Sequence, residues 1–233
     1  LEFRRVLFRS SSGRNIAPQQ ERQTLFLAGD PSLLKRRCVA IIGSREVSAE
    51  GASRARRLAR ELVERGVVVV SGLAHGVDTE AMTSAVERGG AVVGIIGTPL
   101  DEVYPVGNAG LQETVYRDHL LVSQFPSGQR VSRSNFPARN RTMAVLTDAS
   151  VIIEASDQSG TLHQAAECVR QKRWLCIAKS VVEDTRLTWP ARYLPLRTCR
   201  QDLIQMPSLR PLRTGCGRRG ITRGRWLPKP RMR

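Results

Sequence analysis

The seven residues Val39-Ala40-Ile41-Ile42-Gly43-Ser44-Arg45 decide the fold of this chain. Their first four residues form a short apolar run, mostly β-branched, of the kind found in strands that are buried on both faces. The glycine that follows permits a tight turn. Ser48 to Arg65 then places leucine and valine on one stripe and charged residues elsewhere, which predicts a surface helix, and Gly66 ends it. A strand, a turn and a helix in this order are half of a βαβ unit.

The same alternation of short apolar runs and amphipathic stretches continues toward the C-terminus. The patterns predict further strands over residues 67–70, 91–96, 120–123, 151–154 and 174–178, and further helices over residues 79–88, 109–117 and 161–170. Strands that alternate with helices favour a parallel sheet. We therefore predict an α/β protein with a doubly wound, mostly parallel sheet, an extended Rossmann-like fold with irregular termini.

The two ends of the chain differ in composition from its middle. Residues 36–194 form the predicted Rossmann-like domain, and residues 13–35 are its N-terminal extension. Residues 1–12 are interpreted as a non-native leader, because Arg5-Val6-Leu7-Phe8-Arg9-Ser10 can be encoded by the tail of a common sequencing adapter. Residues 195–233 mix arginine, proline and glycine without periodicity, so we expect a basic tail that is either disordered or the product of a frameshift.

The net charge of +16 is concentrated at these ends. Residues 195–233 contain ten arginines, one lysine and one aspartate, a charge of +10, and residues 1–12 contribute +2. Removing both from +16 leaves +4 for residues 13–194. A domain of that charge binds nucleic acid only through a local basic patch, so the functional assignment depends on motifs.

Membrane, metal and disulfide chemistry find little support in the sequence. No apolar run approaches the roughly 20 residues of a membrane span, and a signal-peptide core is missing, so we expect a cytoplasmic protein with no membrane partner. The five cysteines form no CxxC pair and have no histidine at metal spacing. We expect no metal and no cofactor.

Two short turns are candidate anion sites. Gly43-Ser44-Arg45 joins a strand to a helix, where backbone N–H groups and the helix dipole favour an anion and Arg45 adds a donor fork suited to phosphate. Ser159-Gly160-Thr161 repeats the arrangement after the strand that ends at Glu154. In a doubly wound sheet both turns face the crevice at the carboxyl ends of the strands. Alternatively, Ser159 or Thr161 is only a helix cap, and Arg45 is only a solvated side chain.

The stretch Phe136-Pro137-Ala138-Arg139-Asn140-Arg141 lies at the end of a predicted loop over residues 127–140. An exposed aromatic ring beside guanidinium groups can hold single-stranded nucleic acid, because bases stack on the ring and arginines bind the phosphates. The alternative is that Phe136 plugs the edge of the domain while Arg139 and Arg141 pair with carboxylates such as Asp148 or Glu154.

Taken together, these motifs resemble the DprA/Smf family of DNA-processing proteins over roughly residues 24–182, in order and spacing. The motifs that carry this resemblance are Leu25-Phe26, Gly29-Asp30, Leu33-Leu34, Val39 to Arg45, Ser71-Gly72-Leu73-Ala74, Gly76-Val77-Asp78, Gly97-Thr98, Leu100-Asp101, Tyr104-Pro105, Phe136-Pro137, Arg139-Asn140-Arg141, Glu154 and Ser159-Gly160-Thr161.

The resemblance implies a protein that binds single-stranded DNA, often as a dimer, helps to load the RecA recombinase during natural transformation and catalyses no reaction. It implies that Arg45 holds a phosphate, that Phe136 stacks near a base, and that Arg139 and Arg141 form the pocket rim with the Ser159-Gly160-Thr161 turn. The chain departs from the family pattern at His75, where arginine is usual, at Met82, where histidine is usual, and at Lys179-Ser180, where Pro-Gly is usual. The change at His75 removes a cation near the pocket.

Two other functions use the same kind of pocket. Phosphoribohydrolases of the lysine-decarboxylase-like group share the strand-Gly-Ser opening, but their Pro-Gly-Gly before Gly-Thr is missing, and the nearest following acid is Glu167. A nucleotide-sensing domain would differ only in ligand size. No catalytic residue is predicted, because Ser71 and Ser123 lack the GxSxG elbow and the three histidines have no triad or metal spacing.

Overall fold

The computed structural model describes residues 4–9, 22–196, 199–200 and 221–222. Their strands are β1 Arg4–Arg9, β2 Arg22–Gly29, β3 Cys38–Ile42, β4 Val68–Ser71, β5 Val92–Ile96, β6 Leu120–Ser123, β7 Ala149–Ile152, β8 Trp174–Ile177, β9 Cys199–Arg200 and β10 Ile221–Thr222. Their helices are α1 Ala49–Glu64, α2 Val77–Glu87, α3 Ala109–Asp118, α4 Asn135–Leu146, α5 Thr161–Arg170 and α6 Lys179–Val182. Short 3-10 helices cover Pro31–Lys35, Val106–Asn108 and Trp189–Arg192.

The strands form one sheet in the order β10-β1-β2-β6-β5-β4-β3-β7-β8-β9. The central pairs from β6 through β9 are parallel, and β2, β1 and β10 add antiparallel pairs at one edge. From β3 the chain first builds the sheet outward through β4, β5 and β6, and then returns to the other side of β3 with β7. The order of the strands therefore reverses between β3 and β7, where a crevice opens in doubly wound sheets.

The helices cover both faces of the sheet. Successive residues of a strand point to opposite sides, so each buried strand contributes side chains to two clusters. Val39 and Ile41 of β3 belong to one buried cluster with Ala55 and Ala59 of α1. Ala40 and Ile42 belong to the other cluster, with residues of α4 and α5. The predicted α/β architecture with a doubly wound, mostly parallel sheet is confirmed.

Most local predictions agree with the structure, and the predicted loop over residues 127–140 is wrong in its second half, where α4 begins at Asn135. The buried side of α4 includes Asn135, Arg139 and Thr142, and these polar residues interrupt the apolar stripe that would have indicated a helix. Pro137 is tolerated in the first turn because an N–H group there has no intrahelical partner. The strand predicted over residues 151–154 begins and ends two residues earlier.

The ends of the chain contribute backbone pairing to the edges of the sheet. β1 pairs with β2 and β10, and β9 pairs with β8. The leader assigned to residues 1–12 and the tail assigned to residues 195–233 stay predictions, since half of the first segment and most of the second lie outside the described residues. Within the described part of the chain, no helix has the length and apolar character that a bilayer crossing needs.

Candidate functional site

A pocket of about 460 Å³ opens at the carboxyl ends of β3 and β7. Its walls are the turn after β3 (residues 42–46), the loop and first turn of α5 (residues 156–164) and the first half of α4. Ala74 and Asp78, before and in α2, complete the lining. The pocket therefore lies where the strand order reverses, the place at which ligands bind in this architecture.

The two turns singled out in the sequence meet at this pocket. Thr161 Oγ1 donates a hydrogen bond to the carbonyl oxygen of Gly43 over 3.2 Å. The amide of Ser44 donates to the carbonyl oxygen of Glu154 over 2.8 Å, which joins the β3 turn to the end of β7 a second time. The predicted convergence of the two turns at one sheet edge is confirmed.

The start of α1 is occupied by a carboxylate of the protein itself. Glu154 Oε1 accepts a hydrogen bond from the Ser48 amide at 3.1 Å, and Oε2 accepts one from the Ser48 hydroxyl at 2.6 Å. Ser48 Oγ in turn accepts from the Gly51 amide at 3.0 Å. The prediction that the dipole of α1 faces a bound anion is therefore wrong, because Glu154 already fills that position.

The start of α5 is more open. Its N-cap residue Gly160 supplies no side-chain hydrogen bond, and an added Cβ there would have nothing within 4 Å. Ser159 Oγ accepts from the Thr161 amide at 3.2 Å, which is the capping role considered as an alternative. Asn140 Nδ2 donates to the Gly160 carbonyl over 3.4 Å and ties α4 to this turn. No acidic side chain of residues 24–196 occupies this helix start, in contrast to the start of α1.

Arg45 is an exposed side chain on the pocket wall. Its Cζ lies 5.8 Å from the ring centroid of Phe136, a cation–π distance. No acidic side chain among residues 24–196 forms an ion pair with it. Its donors also make no hydrogen bond within residues 24–196, so they are available to a phosphate.

Phe136 is partly buried and has three neighbours. A Cβ on Gly97 would lie 2.8 Å from Cδ1 of the ring, so the ring packs directly against the Gly97 backbone. The Tyr104 ring centroid is 5.4 Å away with an interplanar angle of 49°, and Arg45 lies on the same ring. Phe136 connects Arg45 to Tyr104.

Arg139 lies in the floor of the pocket, whereas the resemblance implied a place on its rim. The residue is only 6% exposed, and Nη1 donates to the carbonyl oxygen of Ile95 over 3.0 Å. A Cβ on Gly72 would fall 1.3 Å from that nitrogen, so only glycine leaves room for the guanidinium. Burial lowers the pKa of Arg139, and the nearby Asp78 carboxylate works against that shift.

Asp78 is the acidic counterpart of this buried arginine. Its Oδ2 accepts hydrogen bonds from the amides of Gly72 at 3.0 Å and Ala74 at 3.4 Å. Burial raises the pKa of Asp78 above its ordinary value, while the charge of Arg139 and these hydrogen bonds oppose the shift. Neither Asp148 nor Glu154, the acids considered as partners in the sequence, pairs with Arg139 in the described structure.

Arg141 is not brought into the pocket. It is exposed on α4, and its Nε lies 3.5 Å from Oε1 of Glu167 on α5. Glu167 also binds Arg170, with Nη2 to Oε1 at 2.7 Å. Of the ten residues predicted for the site, Arg141 is the one that does not line the pocket; the nine that do are Gly43, Ser44, Arg45, Phe136, Arg139, Asn140, Ser159, Gly160 and Thr161.

Tyr104 is the neighbour of the site that motif reasoning missed. It lies in the loop after β5 and, with Arg45, His75 and Phe136, lines a smaller crevice beside the main pocket. A single tyrosine in a loop has no periodicity to mark it, and its link to Phe136 spans 32 positions of the sequence. The sequence signal that could have found Tyr104 is that Tyr104-Pro105 follows β5, whose carboxyl end lies at the same edge of the sheet as the pocket.

Comparison with known proteins identifies the family. The family model for DNA recombination-mediator protein A matches residues 13–189. The DNA processing protein DprA of Streptococcus pneumoniae is 39% identical over 149 residues, which cover 64% of this chain and 52% of that protein. Protein Smf of Synechocystis is 39% identical over 124 residues, 53% of this chain and 31% of that protein. The chain thus spans about half the length of the first relative and a third of the second.

Solved structures show the same fold. The crystal structure of DprA from Streptococcus pneumoniae superposes with a TM-score of 0.70 at 34% identity, covering 77% of this chain and 62% of that one. DNA processing protein A from Helicobacter pylori, described as binding single-stranded DNA, gives a TM-score of 0.64 at 27% identity, covering 75% of this chain and 87% of that one. The chain belongs to the DNA recombination-mediator protein A family, together with the DprA and Smf proteins.

Proposed function

We propose that this chain is a DNA-processing protein that binds single-stranded DNA in the pocket between β3 and β7 and catalyses no reaction on it. The observation that carries the proposal is the exposed Arg45, which has no acidic partner in the described structure and lines the same pocket as the start of α5. A relative of the same fold from Helicobacter pylori is described as binding single-stranded DNA.

The chemistry of the pocket suits a sugar-phosphate backbone. The guanidinium of Arg45 offers a planar donor fork to a phosphate, and the start of α5 offers the positive end of a helix dipole. The buried Arg139 adds a fixed positive charge beneath them, partly offset by Asp78. Contacts of this kind hold any sequence, so binding should fall steeply with salt as counterions are released.

The acid that the enzymatic alternative requires after the Gly160-Thr161 turn does not line the pocket. Glu167, the first acid after the Gly160-Thr161 turn, does not line the pocket and is bound to Arg170 on the surface. Asp78 does line the pocket, but its carboxylate is held by the Gly72 and Ala74 amides. Asp78 and Glu167 thus serve the fold. Glu46 also lines the pocket, but it lies on the turn after β3 and does not follow the Gly160-Thr161 turn, where the phosphoribohydrolases carry their acid.

The wider role is proposed from family membership. We place the chain in the cytoplasm, in DNA uptake during natural transformation, where it would load RecA onto the bound strand and act as a homodimer. The family model is that of a recombination-mediator protein, which supports a role in DNA recombination.

The test measures binding of the full chain to labelled oligo-dT and to nucleoside monophosphates at two salt concentrations. We expect tight binding to the oligomer only. Arg45→Ala should weaken it about 10-fold and reduce the salt slope by about 1. Arg57→Ala, which removes the same charge from the exposed surface of α1, is the matched control and should have little effect.

Two outcomes would overturn the proposal. Release of a free base from a monophosphate would establish the enzyme instead. Equal loss of affinity in Arg45→Ala and Arg57→Ala would mean that binding reflects overall charge and that the pocket does not hold the strand.

A further inference from the structure

Exposed apolar side chains gather in one loop beside the pocket. Val103, Tyr104 and Val106 are 40%, 48% and 79% exposed. Among residues 24–196, the only other large hydrophobic side chain exposed to this extent is Leu196. Scattered apolar residues on a surface need no explanation, but three in one loop at the edge of a binding site indicate a contact surface.

This loop is held firmly in place. The carbonyl oxygen of Glu102 accepts hydrogen bonds from Thr98 Oγ1 at 3.2 Å and from Gln112 Nε2 at 2.9 Å. On the other side of Tyr104, the buried Asn108 donates from Nδ2 to the carbonyl oxygen of Leu73 at 2.9 Å. The ring is thus presented to solvent by a backbone anchored on both sides, which lowers the entropic cost of binding to it.

The geometry distinguishes the roles of the two rings. Phe136 packs against Gly97 and contacts both Tyr104 and Arg45, so its surface is largely used inside the protein. A base inserted between Tyr104 and Phe136 would need the two rings about 7 Å apart, twice the ordinary contact distance. Their centroids are only 5.4 Å apart, so a base does not fit between them. The crevice that both rings line holds only about 30 Å³, too little for a base. The exposed side of Tyr104 remains available to a base.

We infer that Tyr104 is the stacking platform for the base next to the phosphate that Arg45 holds, and that Phe136 supports both side chains from below. This inference rests on the proposed function, since it requires a single strand in the pocket. Arg45 and Tyr104 contact the same Phe136 ring, so a phosphate at the first leaves a neighbouring base within reach of the second. The occupant of the exposed loop is thus a nucleobase of the bound strand.

The experiment compares oligo-dT with an oligomer of the same length whose sugars carry no bases. Tyr104→Ala should weaken binding to oligo-dT at least about 5-fold, because base–aromatic stacking is lost, and should leave binding to the abasic oligomer unchanged. Arg45→Ala should weaken both ligands. Tyr104→Phe keeps the ring and should bind oligo-dT within about twofold of the unchanged protein, while Tyr104→Leu, apolar but without a ring, should resemble Tyr104→Ala.

The outcomes separate this inference from the proposed function. If the unchanged protein binds neither oligomer, the proposed function fails. If Arg45→Ala weakens both oligomers while Tyr104→Ala leaves both unchanged or weakens both equally, the pocket binds DNA and Tyr104 is not a base platform. Thermal unfolding of each variant shows whether the loop remains folded, and a selective loss on oligo-dT cannot come from unfolding.

Discussion

The two turns that meet at the pocket look alike in sequence and differ in structure. The turn after β3 leads to α1, whose first turn is closed by Ser48 and by the carboxylate of Glu154. The turn after β7 leads to α5, whose N-cap Gly160 has no side-chain hydrogen bond to offer. One helix start is occupied by a charged carboxylate of the protein, and the other carries only the neutral Ser159 hydroxyl.

The difference arises because the acidic side chains in the loop between β7 and α5 bind other parts of the chain. Glu154 accepts a hydrogen bond from the Ser48 amide at the start of α1. Asp157 accepts hydrogen bonds from the backbone amides of Thr188 and Trp189. Neither caps the helix that follows it. A Gly-Ser turn before a helix therefore indicates an anion site only when no carboxylate elsewhere in the chain has taken it, and for α1 that carboxylate lies 106 positions away.

The largest expected difference between the turns comes from their glycines. A Cβ on Gly43 would lie 2.6 Å from Cγ2 of the buried Val77 and 2.8 Å from the Glu154 carbonyl oxygen. We expect Gly43→Ala to lower the free energy of unfolding by roughly 2 kcal/mol through overpacking. An added Cβ at Gly160 would lie in open space, and its φ of −59° suits alanine. Gly160→Ala should therefore change the free energy of unfolding by less than about 0.5 kcal/mol. Urea unfolding measures the stability of both variants. Equal losses of stability would contradict the expected difference between the two turns.

A smaller effect is expected from the side chains that cap the two helices. Glu154→Ala should cost about 1 kcal/mol of stability, because the Ser48 amide and the start of α1 lose their anion. Ser159→Ala removes one bond to the Thr161 amide and should cost about half as much. Glu154→Gln is the control: it keeps an acceptor for Ser48 and loses the charge, so an intermediate value in urea unfolding is expected. A Ser159→Ala loss greater than that of Glu154→Ala would contradict the assignment of the closed helix start.

The smallest effect is a dependence of stability on pH that involves Asp157. Loss of hydration acts to raise the pKa of the exposed Asp157 carboxyl group, but hydrogen bonds from Thr188 and Trp189 outweigh it and lower the pKa below its ordinary value. A carboxyl group with a depressed pKa stabilises the fold above its unfolded pKa of about 4, and this contribution is lost as pH falls through the folded pKa. Melting temperatures between about pH 5 and 2 should thus fall more steeply for the unchanged protein than for Asp157→Asn. Parallel curves would show that Asp157 does not bind these groups.

The fold could be predicted in most of its elements because its signals are local. The run Val39 to Ile42 is buried on both faces, and β-branched apolar residues in a short run indicate such a strand without further information. Ser48 was recognisable as the start of a helix and is the N-cap of α1. α4 was missed because its buried face carries Asn135 and Arg139, whose partners lie in other elements.

The site was predicted in its two turns and less well in its side chains. Arg139 and Arg141 are two positions apart in the sequence, so on a helix they point in different directions, one into the floor of the pocket and the other toward Glu167. Read as a loop, the segment gave no reason to separate them. Asp78, in the first turn of α2, lines the candidate site, and Tyr104, in the loop after β5, lies beside it.

The sequence alone determined that strands and helices alternate, that the sheet is parallel at its centre, and that two glycine-bearing turns share its carboxyl edge. These properties follow from hydrophobic periodicity and from the conformational freedom of glycine, which act over a few residues. Only the tertiary structure decided that the start of α1 binds a carboxylate of the protein, that Arg139 is buried, and that the Tyr104 ring is exposed. Those outcomes depend on distant groups such as Glu154, Ile95 and Gly97 coming within a few ångströms, and local pattern carries no information about such pairs.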